Sequence, residues 1–341
     1  MHHSLIAIPL LLALPTGLAQ EFPVKAEAEQ TVRRSFFLES TQELQTMSQT
    51  VNGEDQSGQM PDIERSTERS FELVLVDRYE AVEDGRPTSF VRGFELIEGS
   101  VLSVADFGGQ SNENEFTLVS DLTDEEVLFQ LEEGAWEASA TEDSSVDDAY
   151  LNGLVAELQF LQLLPEGAVE KDEEWEVDLD ILGQLTRPGG ELGLHPEDDD
   201  SYEPGDPNPE PERSGSITAT FTGMEEEDGA SYAAIALVID VETIQDLSEE
   251  MRAQFERMAE QSDGPAPEVD MANRSFATEG EGRALWDLER GRLHSLELTM
   301  ETAEILERSF SFEMEGMGAM AIETSEESSG STTLRVLFEE E

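Results

Sequence analysis

Carboxylate is the only reactive side chain in good supply in this sequence. The chain has no cysteine, which removes thiol nucleophiles and cysteine metal sites together. Past the apolar N-terminal segment only His195 and His294 remain, so a histidine-dependent mechanism has two residues to draw on. His195 falls in an acidic Pro/Gly-rich stretch, a poor platform for the geometry that catalysis needs. His294 follows a hairpin turn and is in phase with Leu296, Leu298 and Met300, which reads as a strand-end residue facing the core. Neither belongs to an HExxH helix, and there is no GxSxG elbow, glycine-rich phosphate loop or dinucleotide fingerprint. With 79 Asp and Glu, an acid–base dyad can be drawn anywhere, so no pair distinguishes itself.

Metal chemistry fares no better. The segment DLDILG from Asp178 starts like a calcium loop, but Leu182 takes a ligand position and Gly189 stands where a bidentate Glu should close it. Asp198, Asp199 and Asp200 form a weak calcium candidate within a stretch that otherwise reads as a solvated acidic linker. No metal site or cofactor is assigned. The pattern that rises above this background is SFSFEMEGMGAMAIE. A strand from Ser309 places Phe310, Phe312, Met314, Gly316, Gly318, Met320 and Ile322 on a single face, a soft surface suited to an acyl chain or another apolar ligand. The same spacing suits a curved sheet whose glycines let it bend and whose methionines fill its core.

The elements that must position these residues are mostly strands. Acidic turns with Gly at Val82–Arg86, Glu132–Gly134, Glu226–Gly229 and Glu289–Gly291 separate apolar runs, which is the signature of repeated hairpins. Ile217, Ala219 and Phe221 alternate with Thr218, Thr220 and Thr222, and Leu296, Leu298 and Met300 alternate with acidic and hydroxyl residues. From Ala233 to Val241 the run is apolar on both faces, as in a covered central strand. Two helices are predicted. One runs over about 146–164 on a stripe of Leu151, Leu154, Val155, Leu158 and Leu161, and one over about 247–261 with Asp246 as N-cap. The fold class is mainly β (α+β), an antiparallel meander or curved sheet in two lobes, each partly covered by a helix. The lobes are 20–185 and 214–341, joined by an acidic linker at 186–213.

The net charge is −60, and all basic residues but Lys25 and Lys171 are arginine. A polyanion such as nucleic acid finds almost no cations to displace its counterions. Anionic membrane surfaces are disfavoured for the same reason. Acids spread along the whole chain suit a protein bathed in concentrated salt, where the Debye length is short; collection of divalent cations is the competing explanation. The first residues, with an apolar run from Leu5 to Leu14 and small residues Gly17 and Ala19, read as a signal peptide over 1–19. The expectation is an exported, soluble protein, periplasmic or extracellular, with no transmembrane span in the mature chain.

Two segments, LPEGAVEKDEEWEV (Leu164–Val177) and GEGRALWDLERGRLHSLELTMET (Gly280–Thr302), resemble phrases in a family of exported bacterial β-rich proteins of unknown function. They cover about a tenth of the chain. Lys171-Asp172-Glu173 replaces the Gly-Asp turn of that pattern, and the family offers no catalytic residues to carry over. The architecture is similar to the half-barrels of periplasmic lipoprotein carriers. Together these observations predict a non-catalytic binding module for an apolar or lipid-like ligand near Phe310–Ile322. A structural or interaction protein of the cell envelope without a small ligand is the alternative, and a carboxylate-based hydrolase the third reading. Trp136, Trp175 and Trp286 are expected as core or sheet-edge aromatics.

Overall fold

Alternating runs broken by Asp-Gly and Glu-Gly pairs fold as antiparallel hairpins, because positive φ at both central residues matches the twist of the flanking strands. Asp84 and Gly85 adopt φ of 48° and 74°, and Glu133 and Gly134 adopt 51° and 92°. At Gly85 the requirement is doubled, since a Cβ would run into the Val24 carbonyl oxygen. The computed structural model describes residues 19–60, 63–142, 144–156, 160–199, 202, 211–227, 229–262, 266–314 and 318–340. Their elements are β1 (Thr31–Val51), β2 (Glu54–Asp55), β3 (Ile63–Glu83), β4 (Arg86–Phe107), β5 (Gln110–Val119), β6 (Glu126–Glu132), β7 (Ala135–Ala140), α1 (Asp148–Leu151), β8 (Glu174–Val177) and α2 (Ile181–Thr186). There follow β9 (His195–Pro196), β10 (Glu212–Glu227), β11 (Ala230–Asp246), α3 (Ser248–Ser262), β12 (Glu268–Asp287), β13 (Arg292–Met314) and β14 (Gly318–Glu340).

These strands form one open, curved antiparallel sheet in which eleven run in the order β7-β6-β4-β3-β1-β14-β13-β12-β11-β10-β8, while β2 pairs with β1 and β5 lies between β4 and β9. The mainly β antiparallel class expected from the patterning is the one observed. The first and last long strands meet at its centre, where β1 runs against β14 from Val32↔Glu340 to Val51↔Ile322. Strands from both sides of 186–213 therefore share one sheet. No described helix is long and apolar enough to cross a membrane.

One face of the sheet, here called the inner face, carries the core. Phe36, Leu73, Leu296, Leu298, Leu334 and Val336 lie on it, each almost wholly buried, and each such side chain contributes roughly 1.5–3 kcal/mol through burial. The cover is the irregular chain between β7 and β10, which sets Phe160, Leu163, Ile181, Leu185 and Leu192 against the sheet. A buried ionic cluster pins it there. Arg92 donates to both Asp77 oxygens, at 2.8 and 2.9 Å, and also to the carbonyls of Val155 and Ala156 at 2.6 and 2.9 Å. Arg34 pairs with the same carboxylate and donates to the Tyr79 hydroxyl at 2.8 Å.

That cluster explains a departure from the predicted helix over about 146–164. Among the described residues only Asp148–Leu151 is α-helical, with a 3-10 turn at Leu161–Leu163. The carbonyls of Val155 and Ala156 face Arg92 instead of a following turn, and Gly153 and Phe160 take φ of 81° and 52°. Leu158 lies outside the described residues. The second helix, Ser248–Ser262, lies within one residue of its expected bounds, but Leu247 O accepts the first helical bond, from Met251 N, so Asp246 stands one residue before the cap, where it accepts from Ser248 N at 2.9 Å. The described part of 186–213 is packed rather than solvated: Leu192 joins the core, β9 pairs with β5, and Leu154 bridges Gly190. Residues 200, 201 and 203–210 lie outside the described residues, as does the signal-peptide segment through residue 18.

Two further expectations need correction. β11 is buried on both faces only from Tyr232 to Ile235, and Val238 is 53% exposed. His294 does not face the core with Leu296. A bulge pairs Leu285 with Ser295 but Trp286 with Leu293, so His294 turns to the outer face and stacks on Tyr232 with ring centroids 4.2 Å apart. The three tryptophans sit in or against the core, Trp286 fully buried and Trp136 and Trp175 partly so.

Candidate ligand-binding site

The long strands carry their pairing far beyond the core, and the inner face changes chemistry along them. Along β13 the inward phase runs Leu296, Leu298, Met300, then Thr302, Glu304, Leu306 and Arg308, then Phe310 and Phe312, in unbroken register with β14. Three zones result: a packed core, a polar belt and an apolar tip. The belt is held by ion pairs. Glu304, mostly buried, accepts from Arg274 Nε at 2.6 Å and from Gln42. Glu326, also mostly buried, pairs with Arg65 at 2.7 Å and with Arg308. Burial lowers the pKa of Arg308, and the nearby Arg65 charge adds to that.

Two cavities open where the core gives way to the belt. One of about 520 Å³ lies between the belt residues Gln42, Thr243, Arg274 and Glu304 and the segment around Arg187 and Arg213. The other, about 680 Å³, has Leu38, Phe71 and Leu118 on its sheet side and Tyr150, Leu192 and Tyr202 on its cover side. Ser40, Arg69, Thr186, Arg187, Glu250 and Thr332 line both, so the two adjoin. Their volumes suit a small-molecule ligand. Burial raises the Tyr150 phenol, and its hydrogen bond to Asp121 raises it further, so it stays a neutral donor. Tyr202 is raised by burial and by the Glu191 and Asp121 charges. A larger concavity of about 1170 Å³ belongs to the outer face, where Glu39, Glu72, Glu98, Glu281 and Glu297 outnumber Arg283 and Arg335. That surface is hostile to an apolar guest.

The residues singled out in SFSFEMEGMGAMAIE come together, but across a hairpin rather than along one strand. Phe310 pairs with Ile322, Phe312 with Met320, and Met314 with Gly318. The two strands end at the Met314–Gly318 pair. Gly316 lies outside the described residues. Phe310, Phe312, Met320 and Ile322 are half-buried, and Phe255 of α3 meets Phe310 edge-on at 5.7 Å. The helix is tied down beside them, Leu247 N donating to Ala272 O at 2.7 Å and Ala272 N to Ser248 Oγ at 3.0 Å. α3 thus lies between the tip, through Phe255, and the cavities, through Glu250 and Arg257.

His195 is buried, donates from Nδ1 to Gly193 O at 3.0 Å, and stacks on Tyr202 with ring centroids 4.6 Å apart. It is held by pairing with β5 and packed against Tyr202, which lines the larger cavity. Asp198 and Asp199 are exposed in the turn after β9, and Asp200 lies outside the described residues. Among the described residues no group of three or more His, Asp or Glu is gathered to hold a metal ion. The cavity residues were not singled out in the sequence. Arg69 carried one signal, since it is in phase with Phe71 and Leu73, a cation on an otherwise apolar stripe; its companions come from strands and loops far apart in the chain.

No family model matches this chain, and no curated protein matches it. Among solved structures it is similar to one described as "lipid-protein interactions in lipovitellin", at 11% identity and a TM-score of 0.32, over 90% of this chain and 25% of that one. It is also similar to the InvG secretin domain β-barrel from the Salmonella SPI-1 injectisome NC-base, at 9% identity and a TM-score of 0.16, over 92% of this chain and 64% of that one. The chain thus spans about a quarter of the lipovitellin chain's length. Both overlaps are too loose to bear on function.

Proposed function

We propose that this is an exported, non-catalytic binding module that holds an apolar or lipid-like ligand against the inner face of its sheet. The observation that carries the reading is the pair of adjoining cavities, about 520 and 680 Å³, left between sheet and cover where the packed core gives way to the belt. Leu38, Phe71 and Leu118 supply apolar floor, and Phe310, Phe312, Met320 and Ile322 extend an apolar surface on the far side of α3. Met314 and Gly318 pair where the two strands end, and with Gly316, which lies outside the described residues, they belong to the same proposed surface by their spacing in the sequence. Such a concave, largely preformed site with a few convergent polar groups is how small-ligand sites are generally built.

Native mass spectrometry of the protein from its own host, followed by solvent extraction, tests the proposal. A stoichiometric apolar species is expected, lost in Phe71→Glu and weakened in Phe312→Asp while the thermal midpoint of each variant confirms folding. A clean ligand-free mass from the host, with no uptake of added lipid, would overturn it in favour of a structural protein of the envelope.

A further inference from the structure

We infer that the ligand is an anionic amphiphile whose head group binds Arg69. The inference rests on the binding reading above and sharpens it. In a chain of 79 acids and 19 basic residues, a random patch of surface is strongly acidic. The two cavities reverse that balance: Arg69, Arg187, Arg213, Arg257 and Arg274 line them against Glu191, Glu250 and Glu304. Three of these arginines are committed. Arg187 pairs with Glu191 at 2.6 Å, Arg213 with Asp180 at 3.3 Å and Arg274 with Glu304 at 2.6 Å. Arg257 donates to Ala253 O of its own helix at 3.4 Å. Arg69 has no hydrogen-bond or ion-pair partner among the described residues, and it lines both cavities.

Its position on the sheet is fixed by its neighbours. On the inner face it sits in β3 between Ser40 of β1 and Val101 of β4, one inward step from Phe71. Arg69, itself exposed, lines the larger cavity together with Phe71 and Leu118 of the sheet and Tyr150, Leu192 and Leu194 of the cover. A planar guanidinium presents paired donors that match a carboxylate or a phosphate. A free oxyanion would leave the apolar floor unused, and an uncharged lipid would leave the arginine unused. A single molecule with an anionic head and a hydrocarbon chain satisfies both surfaces. Glu250, which lines both cavities as well, disfavours a second negative charge and so selects for a compact head.

Calorimetric titration of the full chain with hexadecanoate, hexadecyl phosphate, hexadecanol and inorganic phosphate, all below micelle formation, tests this. Both anionic amphiphiles are expected to bind about tenfold tighter than the alcohol, the ratio a charged hydrogen bond typically supplies. Arg69→Gln should erase that ratio, and Arg69→Lys should retain part of it. Equal affinity for acid and alcohol in the unmodified protein would overturn the head-group assignment and leave the apolar-ligand reading standing. Binding of inorganic phosphate as tight as hexadecyl phosphate would overturn the amphiphile in favour of a free oxyanion. Failure of every chain-bearing probe to bind would overturn both.

Discussion

The two ends of the inner face are made from the same strands, β13 and β14 in unbroken register, yet one is a sealed core and the other a polar belt with cavities. At the core end an irregular cover lays aromatic and aliphatic groups on the sheet, and Phe36 and Leu334 reach complete burial. At the belt Glu304 and Glu326 gather arginines and Gln42 across the sheet, and the cover meets this zone through α2, α3 and a few loop residues. Ionic groups occur in both places, with different consequences. Asp77 with Arg34 and Arg92 is sealed from water, whereas Arg65 and Arg274 reach solvent while their carboxylate partners stay mostly buried. The lesson is that backbone pairing alone sets how far the sheet extends, while the presence of a cover sets what the same surface can do.

The largest expected effect falls on the sealed cluster. Asp77→Ala leaves two guanidiniums buried without a counter-charge and should destabilise the protein by about 3–5 kcal/mol, measured by denaturant unfolding. A loss below about 1 kcal/mol, the range of an exposed pair, would erase the distinction between the ends. The same cluster has a pH signature. Burial by itself raises the Asp77 carboxyl, but the Arg34 and Arg92 charges more than offset it and hold the carboxyl below its ordinary value of 3.8. A carboxyl depressed in the native state contributes its full stability above the unfolded-state value and loses it as pH falls through the native one. Acid unfolding of the unmodified chain is therefore expected below the ordinary carboxylate range, with this contribution missing in Asp77→Ala.

A smaller effect is expected in the belt. Glu304→Gln removes the charge that holds Arg274 and Gln42, and the open side of the belt lets water take over, so the loss should be about 1 kcal/mol. A loss as large as that of Asp77→Ala would show the belt to be sealed like the core. The gentlest contrast concerns salt. Dispersed carboxylates repel one another more in dilute buffer than in molar salt, so amide exchange in the belt segments of β12, β13 and β14 should slow as salt rises. Exchange around Leu296 and Leu334 should change least. Uniform slowing along the strands would instead place the salt effect on the whole fold.

Much of the fold was legible in local pattern. Asp84-Gly85 and Glu133-Gly134 announce their hairpins through residues that accept positive φ, and the alternation around Ile217 and Leu296 announces strands buried on one face. The helix at α3 was legible from its apolar spacing, and Asp246 marked its start to within one residue. The stripe at 146–164 misled because its leucines do pack on the core, as Leu151, Leu154 and Leu161 do, but on a cover whose carbonyls are claimed by Arg92. His294 misled because one bulge reverses the phase of a strand, and a bulge leaves no mark in residue type. At the tip, pairing Phe310 with Ile322 was accessible as a shared face, though the reversal between them was not read.

The sequence by itself determined the antiparallel β class, the acidic surface, the lack of thiol chemistry and the scarcity of cations, since each follows from composition or from neighbours a few residues apart. Only the tertiary structure decided which cations stand together. Arg69 comes from β3, Arg187 from the end of α2, Arg257 from α3 and Arg274 from β12, and no local rule relates them. They meet because β1 and β14 join the two ends of the chain at the centre of one sheet and the cover returns across it. Long-range pairing of that kind is fixed by the burial of the whole core, a sum over many residues that no short stretch of sequence contains.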